Sequence, residues 1–220
     1  MPVSVSTGMA ATQHQKTILL LSLNKLSFFD EQYAKLTDLL ASNAAIKSAS
    51  SPSAALDFLS SNTPHAIIVT DEAIVEPENS SVLDKLISYA CAGGIVVVGC
   101  HFSSFISPDE FESFFARWAL PWKLGNYSRE TVSVNHQVRG VDKVGLPAAY
   151  SQKAVFINNI SPDAALYQVL PDPEDESFPS RYHGQTPVAY TKIGDGWLGY
   201  VGDVNAEAGS DLVIWKMCRL

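Results

Sequence analysis

A chain of 220 residues with 46% hydrophobic and 17% charged side chains carries enough apolar surface for one good-sized core and too much for a disordered segment. Its 23 acidic residues outnumber 15 Lys and Arg, a formal net charge of −8, and the basic residues do not cluster, which excludes a phosphate-binding nucleic-acid surface. No run reaches about 18 apolar residues, so no helix spans a membrane, and three cysteines without metal-like spacing exclude a disulfide scaffold. What remains is an acidic small-molecule protein of a reducing compartment, the cytoplasm by expectation.

Residues 1–15 are rich in Ser, Thr and Ala without the apolar core of a secretory signal, and read as a flexible leader to a single domain over 16–220. The run from Lys16 to Leu23 is a buried first strand. Asp30 is placed to cap a helix over Glu31–Ala44, where Tyr33, Leu36, Leu39 and Leu40 recur at helical spacing. Ile46–Ala49 fits a short edge strand, Ser51-Pro52 opens a second helix, and His65–Thr70 is a strand ending in Asp71 and Glu72. A helix over Ser80–Ala92 precedes the apolar run Gly94–Gly99, whose four consecutive β-branched residues predict a strand buried on both faces of a parallel sheet. Four β-α units in about a hundred residues describe a doubly wound, right-handed α/β sheet.

Beyond a helix over Pro108–Trp118 the pattern changes. Strands are expected near Glu130–Asn135 and Ala154–Ile160, and Pro187–Lys192 with Trp197–Val201 reads as a β-hairpin around Gly194-Asp195-Gly196. Between them Pro171–Pro179 is an acidic, proline-rich excursion. The terminal triplet Cys218-Arg219-Leu220 has the small-basic-leucine form of a peroxisomal address, unless Trp215, Met217 and Leu220 finish a packed helix that hides it.

Cys100 stands where the Gly94–Gly99 strand ends and the return crossover begins, the rim on which open α/β sheets place their ligands. Converging backbone N–H groups and a helix dipole stabilise a thiolate at such a turn, and His101 is a candidate base. The plainer alternative is a small buried hydrophobe closing a core strand. Ser103 and Ser104 read as helix-entry or loop residues. His65 lies at the wrong end of its strand, and His136 and His183 lack metal spacing.

The order of elements, the stretch from Gly93 to His101 and the late hairpin resemble the class I glutamine-amidotransferase-like superfamily over residues 16 to about 215. The resemblance implies a flavodoxin-like, mostly parallel sheet with helices on both faces and a C-terminal β-hairpin extension. Cys followed by His is the pair used in the intracellular cysteine peptidase/deglycase branch, where a Gly follows and an early acidic residue contacts the thiol. Here Phe102 follows, and Asn24 and Lys25 stand at the first strand's tip, leaving Asp71 and Glu72 as the better-placed substitutes.

True amidotransferases serve the Cys with a distant His-Pro-Glu; the corresponding stretch is Val204–Glu207, with Asn205 at the base position. An amide takes no proton from a thiol at neutral pH, so a glutaminase is not implied. The trehalose-utilisation-type branch has the more similar hairpin and also places His where Asn205 stands. The implied function is a hydrolase or lyase acting on a small carbonyl or amide compound, with Cys100 and His101 catalytic. Asp71, Glu72, Phe102, Asp203, Asn205 and Glu207 would bind substrate, with no metal, no cofactor and a homodimer as the candidate assembly. The alternative is a catalytically degenerate member that keeps the fold to bind a ligand or partner.

Overall fold

The computed structural model describes residues 15–170 and 181–220, so the leader up to residue 14 and the whole of the acidic excursion lie outside the described residues. Five strands run parallel in the order β2 (Ala45–Ala49), β1 (Thr17–Leu21), β3 (Ala66–Val69), β4 (Ile95–Val98) and β9 (Gly196–Val201). This is the 2-1-3-4-5 order of flavodoxin-like folds. Their side chains alternate between two cores. Leu19, Leu21, Ile67, Val69, Val96 and Val98 pack with α3 (Pro52–Ser61), α4 (Ser80–Cys91) and α6 (Pro108–Arg117). Ile18, Leu20, Ile68, Ile95 and Val97 pack on the opposite face with α1 (Phe29–Gln32), α2 (Ala34–Ala41) and α7 (Ala208–Met217). Strands apolar at every position need a cover on both sides, and these helices supply it.

Beyond β9 the sheet continues through β8 (Val188–Ile193), β7 (Ala165–Val169), β5 (Lys123–Val134) and β6 (Ala149–Asn158), each antiparallel to its neighbour, so that β5 and β8 run against the other seven strands. The expected hairpin is present, with Ile193 opposite Gly196 across a Gly194-Asp195 turn. It is not an appendage: β9 is the fifth strand of the parallel half and β8 begins the antiparallel one. The single helix expected over Glu31–Ala44 is two helices, broken at Tyr33 (φ −105°, ψ 20°). Asp30 does not cap; it lies in the first turn of α1 and pairs with Lys25 at 2.7 Å. Where α6 begins, Ser107 and Glu110 form a reciprocal capping box ahead of Pro108.

The antiparallel half curls back on the parallel one. Val155 N–H donates to Gly202 O at 2.9 Å and Val204 N–H to Lys153 O at 3.0 Å, while Ile157 and Thr186 exchange both backbone bonds. β6 is thereby stitched to the segment that leaves β9. The closure depends on the absence of a side chain at Gly202, where a Cβ would lie 1.9 Å from Val155 O.

At the C-terminus Cys218 is fully buried. Arg219 is exposed but lies over the Trp197 ring at 4.9 Å, with its Nε donating to Gly140 O at 2.8 Å, and Leu220 is half-buried. Among the described residues no helix is long and apolar enough to cross a membrane. Gly202→Ala is expected to lower stability by about 2–3 kcal/mol, because the clash is with backbone that cannot rotate away. Urea denaturation would show it as a shifted midpoint with an unchanged slope.

Candidate functional site

At the end of β4 the chain passes from Gly99 into Cys100 with φ +56°, a left-handed backbone that a β-substituted residue adopts at a cost. By strand alternation position 100 would follow Val96 and Val98 toward α3, α4 and α6. The left-handed residue reverses that, and the thiol packs instead in the core formed with α2 and α7. It is 3% exposed. Burial pushes its pKa well above the ordinary thiol value, and the carboxylates of Asp211, Asp203 and Asp71 push it the same way.

His101 faces elsewhere. Its Nε2 is 3.0 Å from Gln32 Oε1, which fixes the proton on Nε2, while Nδ1 is buried without a hydrogen-bond partner. Four aromatic rings, Phe28, Phe29, Tyr33 and Phe105, surround the imidazole at 5.2–5.6 Å, all but edge-on. Burial lowers its pKa against the opposing pull of Glu72, so the ring is held neutral. The imidazole is therefore bonded to Gln32 and not to Cys100.

His101, Ser103 and Ser104 form one wall of a cavity of about 500 Å³ at the carboxyl ends of the parallel strands. Val204 and Asn205, just past β9, form a second; Leu124, Gly125 and Tyr127 of β5 with Val155 of β6 form a third. Phe28, Phe105 and Tyr127 stand at its rim, 47%, 52% and 59% exposed, three of the few large apolar side chains in contact with solvent. Ser103 Oγ donates to Tyr200 Oη at 3.2 Å and to Val201 O at 3.3 Å, and Ser104 is free of such bonds among those described. The amide of Asn205 is turned so that its oxygen accepts from Arg129 Nη2 at 2.6 Å and its nitrogen donates to Val204 O at 3.3 Å.

Asp203 sits behind this wall. One carboxylate oxygen accepts the N–H of Asn205 at 2.7 Å and the other the N–H of Glu207 at 2.8 Å. Burial, and then its contact with Glu207, pushes its pKa up to about 7. For Glu207 burial is outweighed by hydrogen bonds from Asp203, Arg129 and the Lys153 N–H, and the net direction is down. Asp211, one turn into α7, is pushed up to about 6 by burial against the pull of Lys35.

The remaining expected site residues lie outside the cavity. Asp71 is buried, accepts from Asn24 N–H at 3.1 Å and Thr70 Oγ1 at 3.2 Å, and is pushed up to about 6 by burial. Glu72 accepts from Asn24 Nδ2. Phe102 is a core residue against Phe114, and its N–H donates to Thr70 O at 3.1 Å, so that amide is already occupied. Gln32, Phe28, Phe105 and Tyr127 carried no sequence signal, since an aromatic or amide side chain near a strand end is ordinary until three elements bring them together. Among the described residues no group of three or more His, Cys, Asp or Glu is placed to hold a metal ion.

No protein-family model matches the sequence, and no curated protein matches it. Solved structures do. A ThuA-like protein from Bacteroides uniformis superposes with a TM-score of 0.60 at 12% identity, over 97% of this chain and 94% of that one. A ThuA-like protein from Parabacteroides merdae gives 0.58 at 15%, over 93% and 88%. β-Galactosidase from Bacillus circulans sp. alkalophilus gives 0.58 at 14%, with 93% of this chain matching 31% of the enzyme. The fold of this chain is that of ThuA-like proteins, in keeping with the amidotransferase-like resemblance of its sequence.

Proposed function

We propose that this protein is a ligand-binding member of the amidotransferase-like fold, taking a small uncharged polar molecule in the cavity beside His101, with Cys100 as a structural residue. The observation that carries this is the lining. Among the described residues no Asp, Glu, Lys or Arg borders the cavity, its imidazole is held neutral, and the thiol is not part of its wall. Three exposed aromatic rings offer flat apolar contact, and Ser104 and Asn205 offer hydrogen bonds, the mix by which small-molecule sites combine apolar grip with orientation. An ionised ligand would find no countercharge among the described lining residues, the nearby Arg129 being engaged by Glu207 and Asn205.

A cysteine-dependent hydrolase or lyase acting on a small carbonyl or amide compound is the second reading. The left-handed backbone at Cys100 favours it, because strain of this kind gathers at functional turns. It requires a thiolate, and the three carboxylates bearing on the buried sulfur oppose one.

Thiol titration separates the two. In the folded protein at neutral pH one equivalent of a thiol reagent should react, at exposed Cys91, with Cys100 and Cys218 reacting only after unfolding. A fast second equivalent that disappears in Cys100→Ala would restore the nucleophile. Ligand binding is read by thermal shift against uncharged amides, carbonyl compounds and hydroxylated rings, the last included because of the β-galactosidase likeness. A binder at about 100 times its Kd should add roughly 2.7 kcal/mol of stability. Phe105→Ala should remove that gain, and Cys100→Ala should keep it. A panel with no shift, or binding lost only on changing Cys100, would overturn the proposal.

A further inference from the structure

The loop that carries Val204 and Asn205 into the cavity is held by an arrangement of two carboxyl groups short of one donor. Asp203 accepts the backbone N–H groups of Asn205 and Glu207. Glu207 places Oε1 against Arg129 Nη2 at 2.8 Å and the Lys153 N–H at 3.3 Å, but its Oε2 is buried with no partner. A buried carboxylate oxygen left without a donor costs roughly 1–3 kcal/mol or more. The Asp203 carboxyl lies at the same turn, its Oδ2 accepting the Glu207 N–H at 2.8 Å, and the two carboxyls act on each other, Asp203 pushed up and Glu207 down. As two anions they would repel; with one proton they become a donor and an acceptor joined by a charge-assisted O–H···O bond.

We propose that Asp203 and Glu207 share a single proton, and that this proton holds the Asn205 loop against the cavity, so that the site loosens when the proton leaves. The consequence for ligand binding rests on the cavity being the site proposed above; the proton pair itself does not. Charge placement assigns the proton to Asp203. Arg129 pairs with Glu207 at 2.8 Å and keeps that carboxyl ionised. Among the described residues no Lys or Arg forms an ion pair with Asp203. The other titratable neighbours, Cys100 at the end of β4, Tyr33 between α1 and α2 and Tyr150 on β6, are held protonated by burial. Asp211 on α7 adds negative charge when ionised, and Lys35 acts on Asp211.

The sign follows. A carboxyl whose pKa rises on folding keeps a proton that the unfolded chain releases near pH 3.9, so its contribution to stability falls as pH rises from about 4 to about 7. Asp71 and Asp211 titrate in the same direction, so stability alone does not isolate Asp203. Hydrogen exchange of the loop does.

Amide exchange over residues 203–210 is measured without ligand at about pH 5.5 and about pH 8.5, each corrected for the intrinsic rate. Protection in the wild type should drop about tenfold or more at the higher pH. In Glu207→Gln the amide Nε2 replaces the shared proton with a fixed N–H while Oε1 still accepts from Arg129, so protection should be equal at both. Protection independent of pH in the wild type, or an equal loss in Glu207→Gln, would overturn the proposal. Infrared spectra are the second readout: the protonated-carboxyl stretch at about pH 5.5 should be weaker in Glu207→Gln than in the wild type, the contributions of Asp71 and Asp211 being common to both. A stretch of equal strength in the two counts against the pair. Neither measurement uses a ligand, so a failed ligand panel leaves the proton pair standing, and a loop indifferent to pH leaves the cavity standing.

Discussion

The left-handed backbone at Cys100 sends three consecutive side chains to three different places: the thiol into the core beneath α2 and α7, His101 to the cavity, and Phe102 into the opposite core. A non-glycine residue in that region costs on the order of 1–3 kcal/mol. Complete burial of Phe102 against Phe114 offsets a comparable amount, and the Phe102 N–H finds Thr70 O on the neighbouring strand. The turn is thus held by packing on its far side. The strand-to-helix turn at Cys100 is left-handed, and its thiol is closed off from the cavity.

Electrostatics reinforces that closure. Thiolates form beside cations or at helix N-termini, whereas the charges acting on Cys100 are those of Asp211, Asp203 and Asp71. Each raises the cost of ionising the sulfur, and burial raises it further. The same crowding of acidic groups in a chain of net charge −8 makes a proton the natural counterion. This strand tip crowds carboxyl groups that burial pushes toward holding their protons, Asp203 up to about 7 and Asp211 up to about 6.

The parallel half was legible because strands buried on both faces must be apolar at every position, and Ile95–Val98 and Ala66–Val69 are. The antiparallel half was legible only in part: β8, the end of β5 and the end of β6 were expected, the remainder was not. β5 runs for 12 residues, yet its first half is polar, half-exposed and interrupted by a register shift between Leu124 and Tyr127, so only its end looked like a strand. β7, buried over Ala165–Tyr167 and exposed after it, has no alternation to read. The break at Tyr33 was hidden because Tyr33 itself fits the helical spacing. Cys100 and Asn205 were located correctly as strand-end residues, but that one points away from the cavity and the other into it depends on a backbone dihedral that residue types do not encode.

The division of labour between the two halves explains why a shared fold says little about this site. Parallel strands bring β4 and β9 to a common end and so fix where the cavity lies, on a fold shared with proteins at 12–15% identity. Its contents come largely from elsewhere: Leu124, Gly125 and Tyr127 from β5, Val155 from β6, and an Asn205 loop pinned by Arg129 of β5 and Lys153 of β6. Those residues arrive only because β6 curls back to bond Gly202 and Val204. The closure at Gly202 is accordingly part of the site as much as of the fold. A change that opened it would remove one wall of the cavity and the support of the Asp203–Glu207 pair together, while leaving the elbow at Cys100 and the parallel sheet beneath it in place.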